Sequence, residues 1–168
     1  MPVEATQLKL MIDAELSRIT DDRVLRHVRG LLVEPHVSMR GWDYGEPSQR
    51  YACWIVLEND DTGIGYCENG FGPRTPWGLL FLKDDGRDGI LSMGIDSAWF
   101  GTFLEAFWDS FAATTLPIWR VSKTDDVGAR IFLTGEESWE SAWEQCKQLR
   151  TADPRSQYSV DHTTSQRV

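Results

Sequence analysis

Tyr51-Ala52-Cys53-Trp54-Ile55-Val56-Leu57, followed by Glu58-Asn59-Asp60-Asp61-Thr62-Gly63 and then Ile64-Gly65-Tyr66-Cys67, is the stretch whose reading decides the fold. Tyr51, Cys53, Ile55 and Leu57 alternate with Ala52, Trp54 and Val56, so both faces of the first segment are apolar and it belongs in the centre of a sheet. The link supplies the Asp and Asn side chains and the glycine that a hairpin turn uses. Residues 64–67 therefore pair back on the first segment as an antiparallel strand.

Working outward, residues 78–83 and 89–94 repeat the strand–turn–strand pattern around Asp84-Asp85-Gly86-Arg87-Asp88. Residues 118–122 and 129–133 repeat it around Lys123-Thr124-Asp125-Asp126-Val127-Gly128. Upstream the period changes. Leu8, Met11, Ile12, Leu16 and Ile19, then Val24, Leu25, Val28, Leu31 and Leu32, recur at helical spacing, with Asp21 as the cap of the second helix and Pro35 marking its end. Two later helices carry capping-box starts, Thr102-Phe103-Leu104-Glu105 and Thr134-Gly135-Glu136-Glu137. The first places Phe103, Phe107, Trp108 and Phe111 on one side; the second presents Trp139, Ala142, Trp143, Cys146 and Leu149. The expected class is α+β: an N-terminal helical hairpin, a central antiparallel sheet of about five to seven strands, and two further amphipathic helices packed on it. A single domain is expected over residues 1–151, with a polar tail, loose or docked, over residues 152–168.

Composition narrows the function. The chain has 168 residues, 41% hydrophobic with eight Trp, which is too apolar for disorder. Its 26 Asp and Glu against 17 Lys and Arg give a charge of -9, which argues against nucleic-acid binding, since that affinity comes from basic side chains on phosphates. Trp77-Gly78-Leu79-Leu80-Phe81-Leu82, like residues 51–57, is an apolar run far shorter than the ~20 residues of a membrane helix, so no membrane association is expected. Met1 to Thr6 has neither the basic start nor the apolar core of a secretory signal, and the expected compartment is the cytoplasm. Cys53, Cys67 and Cys146 form no C-x-x-C pair and read as buried, reduced thiols; no metal or other cofactor is implied.

The charge is localised. Residues 1–40 hold six acidic and six basic side chains, residues 41–150 eighteen and nine, and residues 151–168 two and two. Much of the surplus falls in three turns, at Asp60-Asp61, Asp84-Asp85 and Asp125-Asp126. Asp beside Gly is ordinary turn chemistry, but a clustered acidic rim also speeds encounter with a basic partner. Asp84 to Gly89 fails as an EF-hand, having Gly86 at the third position and Ile95 at the twelfth.

Catalytic constellations are thin. Cys67 and Glu68 are neighbours that a strand would point apart, and His36 is the histidine that could approach Cys67 across strands. The most unusual segment is residues 68–78, where Phe71 and Trp77 flank Arg74; an anionic ligand could be held there by Phe71, Arg74 and Trp77. A wide loop packed by its own aromatics is the alternative. Trp42, Tyr44 and Trp77 sit near turns or strand ends, where aromatics can anchor a protein partner.

Arg50-Tyr51-Ala52-Cys53-Trp54-Ile55-Val56-Leu57-Glu58, Gly65-Tyr66-Cys67-Glu68-Asn69-Gly70-Phe71-Gly72-Pro73, Trp77-Gly78-Leu79-Leu80-Phe81 and Asp96-Ser97-Ala98-Trp99-Phe100 together resemble small acidic immunity proteins of bacterial toxin systems. The resemblance covers roughly residues 36–112 and is one of general character. It implies a cytoplasmic inhibitor, not an enzyme, that covers the active site of a cognate basic toxin or effector domain with acidic groups. These families share no catalytic motif, so no residue role is carried over. The expected partner-binding surface is Trp42, Asp43, Tyr44, Asp60, Asp61, Trp77, Asp84, Asp85, Asp125 and Asp126.

Overall fold

The computed structural model describes residues 3–42, 45–46, 48–68, 73–83 and 98–164. The chain is α+β and divides into two compact units, one ending at Ala112 and one running from Ala113 to Arg167, where a single domain and a tail were expected.

The N-terminal unit begins with the expected pair of helices, α1 (Ala5–Leu16) and α2 (Asp22–Leu31). Leu8, Ile12 and Leu16 form the buried stripe of α1, and Val24 and Val28 that of α2. Asp21 caps α2 by accepting from the Arg23 amide at 2.9 Å and also holds the Arg23 guanidinium at 2.7 Å. The Arg23 side chain keeps the Asp21 carboxyl below its ordinary value. The helix ends four residues before Pro35, not at it. Leu32 already has extended backbone, so β1 (Leu32–Arg40) starts there and Pro35 falls within the strand, where the pairing with its neighbour shifts register between Leu32 and His36. Proline is tolerated because β1 is an edge strand.

The sheet runs β1-β2-β3-β4-β5, with β2 (Tyr51–Asn59), β3 (Thr62–Tyr66), β4 (Trp77–Phe81) and β5 (Trp99–Phe100), every pair antiparallel. The expected strand at residues 89–94 lies outside the described residues. Glycine permits the tight centre of this sheet: a Cβ on Gly65 would sit 2.4 Å from Leu80 Cδ1 and 2.8 Å from Cys53 Sγ. Arg40, only 2% exposed, donates from Nη1 to the Phe81 carbonyl at 2.8 Å, which joins β1 to β4. In a flat sheet those strands would lie about 14 Å apart, beyond the reach of one side chain, so the sheet curls.

Helix α3 (Phe103–Asp109) packs Phe103 and Phe107 against this sheet, and Trp77 meets Tyr66 and Phe103 edge to face at 5.1 and 5.6 Å. The expected capping box is present, with Glu105 N to Thr102 Oγ1 at 3.2 Å and Thr102 N to Glu105 Oε2 at 2.9 Å. A second carboxylate closes the same helix end: Glu15 of α1 accepts from the amides of Phe103 and Leu104 at 3.2 and 2.8 Å. Ser110 then breaks the helix with extended backbone, its hydroxyl bonding the Phe107 carbonyl at 2.7 Å, and the short α4 (Phe111–Thr114) follows.

In the C-terminal unit β6 (Trp119–Thr124) lies between β7 (Arg130–Phe132) and β8 (Gln157–His162), both antiparallel to it. The β6–β7 hairpin is the expected one; β8 occupies part of the expected tail. Helix α5 (Trp139–Ala152) buries Ala142 and Cys146 beside β6 and β8. Its start is corrected from Thr134 to Ser138, whose hydroxyl accepts from the Ser141 amide at 3.4 Å. Glu137 cannot serve as a first-turn residue because its backbone N–H and C=O both bond Trp119 at 2.9 Å as a strand-like bridge.

Candidate functional site

The turn between β2 and β3 is the smallest possible, with Asn59 paired to Thr62 and only Asp60 and Asp61 between them. Asp60 takes φ 53°, in the left-handed region that Asp and Asn enter more readily than other non-glycine residues. The Asp61 carbonyl accepts from the Leu82 amide at 2.8 Å, and its carboxylate pairs with Lys83. That hydrogen bond holds the Lys83 ammonium above its ordinary value.

Two exposed aromatic rings border this turn. Phe81 is the Cα partner of Thr62 and is 51% exposed. Phe111 is 60% exposed and, with Leu57, Thr62 and Leu79, lines a dimple of about 10 Å³. A cavity of that size admits about one water molecule. Both rings are held through their own backbones or that of a neighbour. Arg40 grips the Phe81 carbonyl, and His27 of α2 donates from Nε2 to the carbonyl of Ala112 at 2.7 Å.

The break at Ser110 explains why Phe111 is a surface residue. One continuous helix would have placed it on the buried side with Phe103 and Phe107, as its spacing predicts; α4 instead turns it outward. Phe81 lies at the last position of β4 and is the exposed residue of that strand. No pattern in the sequence separates these two residues from the core aromatics.

The sequence-predicted surface is partly redistributed. Asp60 and Asp61 form the acidic turn just described. Trp77 is 1% exposed and belongs to the core, which removes it from both the partner-binding and the ligand-binding sets. Trp42 is half-buried, edge to face with Tyr51 at 5.9 Å. Asp43, Tyr44, Asp84, Asp85 and Phe71 lie outside the described residues, and Arg74 is exposed. Asp125 and Asp126 belong to the other unit. Asp125 is committed to its own turn, accepting from the Val127 and Ala129 amides at 3.0 and 2.7 Å.

Cys53, Cys67 and Cys146 are buried and free. Burial, with a smaller contribution from Cys67, pushes the Cys53 thiol up to about 12, so it stays protonated at neutral pH. His36 is exposed, its Nε2 3.7 Å from Glu58, and does not reach the buried Cys67. Among the described residues no helix is long and apolar enough to cross a membrane. Comparison of the chain with protein-family models, with curated proteins and with solved structures found no match.

Proposed function

We propose that this chain is an immunity-type protein, acting in the cytoplasm, that binds a cognate toxin or effector domain and neutralises it by covering its active site. The acidic, aromatic end of the five-stranded sheet is the docking surface, and the partner is a basic protein domain. The observation that carries this reading is the juxtaposition of exposed Phe81 and Phe111 with the Asp60-Asp61 turn on a unit holding 18 Asp and Glu against 10 Lys and Arg. Burying an exposed Phe against a partner contributes roughly 1.5–3 kcal/mol, while rim carboxylates accelerate encounter with a positively charged face.

The test is association with the product of the adjacent upstream gene, measured over a range of salt. Asp60→Asn and Asp61→Asn together should slow association and flatten its salt dependence; Asn tolerates the backbone at residue 60, so the turn is kept. Phe81→Ala with Phe111→Ala should speed dissociation by about tenfold or more. Absence of a complex at low salt, or equal small effects from both pairs, would count against the proposal.

A further inference from the structure

The C-terminal unit holds a groove of about 600 Å³, within the range of small-molecule sites. Arg130, Arg150, Thr124, Ser156, Gln157 and Ser159 supply its polar lining, and no carboxylate lines it although the chain carries a charge of -9.

Both guanidinium groups are fixed before any ligand arrives. Arg130 pairs through Nη1 with Asp161, which is only 4% exposed and also accepts from Ser122 Oγ at 2.5 Å and Ser159 Oγ at 2.8 Å. Arg150 donates from Nε and Nη2 to the Tyr158 carbonyl at 3.1 and 2.6 Å and lies over the Trp143 ring at 5.1 Å. These bonds leave Nε and Nη2 of Arg130 and Nη1 of Arg150 as donors without a partner among the described residues. The Ser156 and Ser159 hydroxyls are already given to Asp153 and Asp161, which leaves the Thr124 hydroxyl and the Gln157 amide beside the two pre-set guanidinium groups as donors for phosphate oxygens; the ordering cost of the arginines is already met by the fold. The groove continues across Thr124, Ser156 and Gln157 into a second cavity of about 470 Å³, where the Asp126 carboxylate offers an acceptor for hydroxyl groups.

We infer that this groove binds a small phosphate monoester with a hydroxylated body, its phosphate between Arg130 and Arg150. The site lies within one unit and shares no residue with the docking surface proposed above, so either proposal can fail alone. Glycerol 3-phosphate is a suitable probe, titrated into uniformly labelled protein and followed by amide and Arg Nε–H resonances. Saturable shifts confined to residues 124, 130, 150 and 156–159, with a Kd below ~10 mM, are expected. Arg130→Lys with Arg150→Lys conserves charge but removes the pre-set guanidinium donors, and should weaken binding about tenfold. Should the double variant fail to fold, Arg150→Lys alone leaves the Asp161 pair intact and should weaken binding in the same direction. No saturable shift, shifts elsewhere on the chain, or undiminished binding by the Lys variants would overturn the inference.

Discussion

Asp21, Glu15 and Asp60 show how differently single carboxylates act in this chain. Asp21 caps its own helix and was legible in sequence, because an N-cap bond spans two residues. Its carboxyl is held below the ordinary 3.8, chiefly by the Arg23 side chain. The pairing therefore stabilises the fold above that value and is lost as pH falls through the lower, folded-state value. Asp21→Asn keeps a capping oxygen but loses the charge. We predict a loss of about 0.5 kcal/mol near neutral pH, shrinking toward zero in acid, measured by urea denaturation of both proteins across pH. A difference that grew on acidification would contradict the assignment. Glu15 was not legible as a cap, since the amide it serves is 88 residues away.

At the scale of elements, what the sequence made visible was local and what it hid depended on a distant strand. Thr102 and Glu105 form the capping box their spacing predicts, whereas the same spacing at Thr134 does not, because Glu137 pairs with Trp119. Strand β8 had a legible signal in Tyr158 and Val160 alternating with Gln157, Ser159 and Asp161. It read as tail because Asp161 and Ser159 look like solvent residues until Ser122 and Arg130 meet them. The exposure of Phe81 and Phe111 was hidden because it depends on where β4 ends and on the helix break at Ser110. Removing the Glu15 carboxylate from the start of α3 should cost about 1–2 kcal/mol. Glu4→Ala is the matched control and should change stability by less than about 0.5 kcal/mol, because the Glu4 side chain makes no capping bond to α1. Equal urea midpoints for Glu15→Ala and Glu4→Ala would show that the tertiary cap contributes nothing.

For the molecule as a whole, the division into two units reassigns the charge. The N-terminal unit carries 18 acidic and 10 basic side chains, and the C-terminal unit eight and seven. The surplus of residues 41–150 thus lies almost wholly in residues 41–112, on the unit with the exposed Phe81 and Phe111. The nearly neutral unit instead presents the arginine-lined groove. That division of charge supports the proposed protein-facing role of the first unit and the proposed small-anion role of the second. Hydrogen exchange on this chain, alone and mixed with the upstream gene product, tests the central claim most directly. Protection is predicted at residues 57–63, 79–83 and 109–112. Protection confined to the C-terminal unit or to α1 and α2, or an exchange pattern unchanged by the mixture, would contradict it.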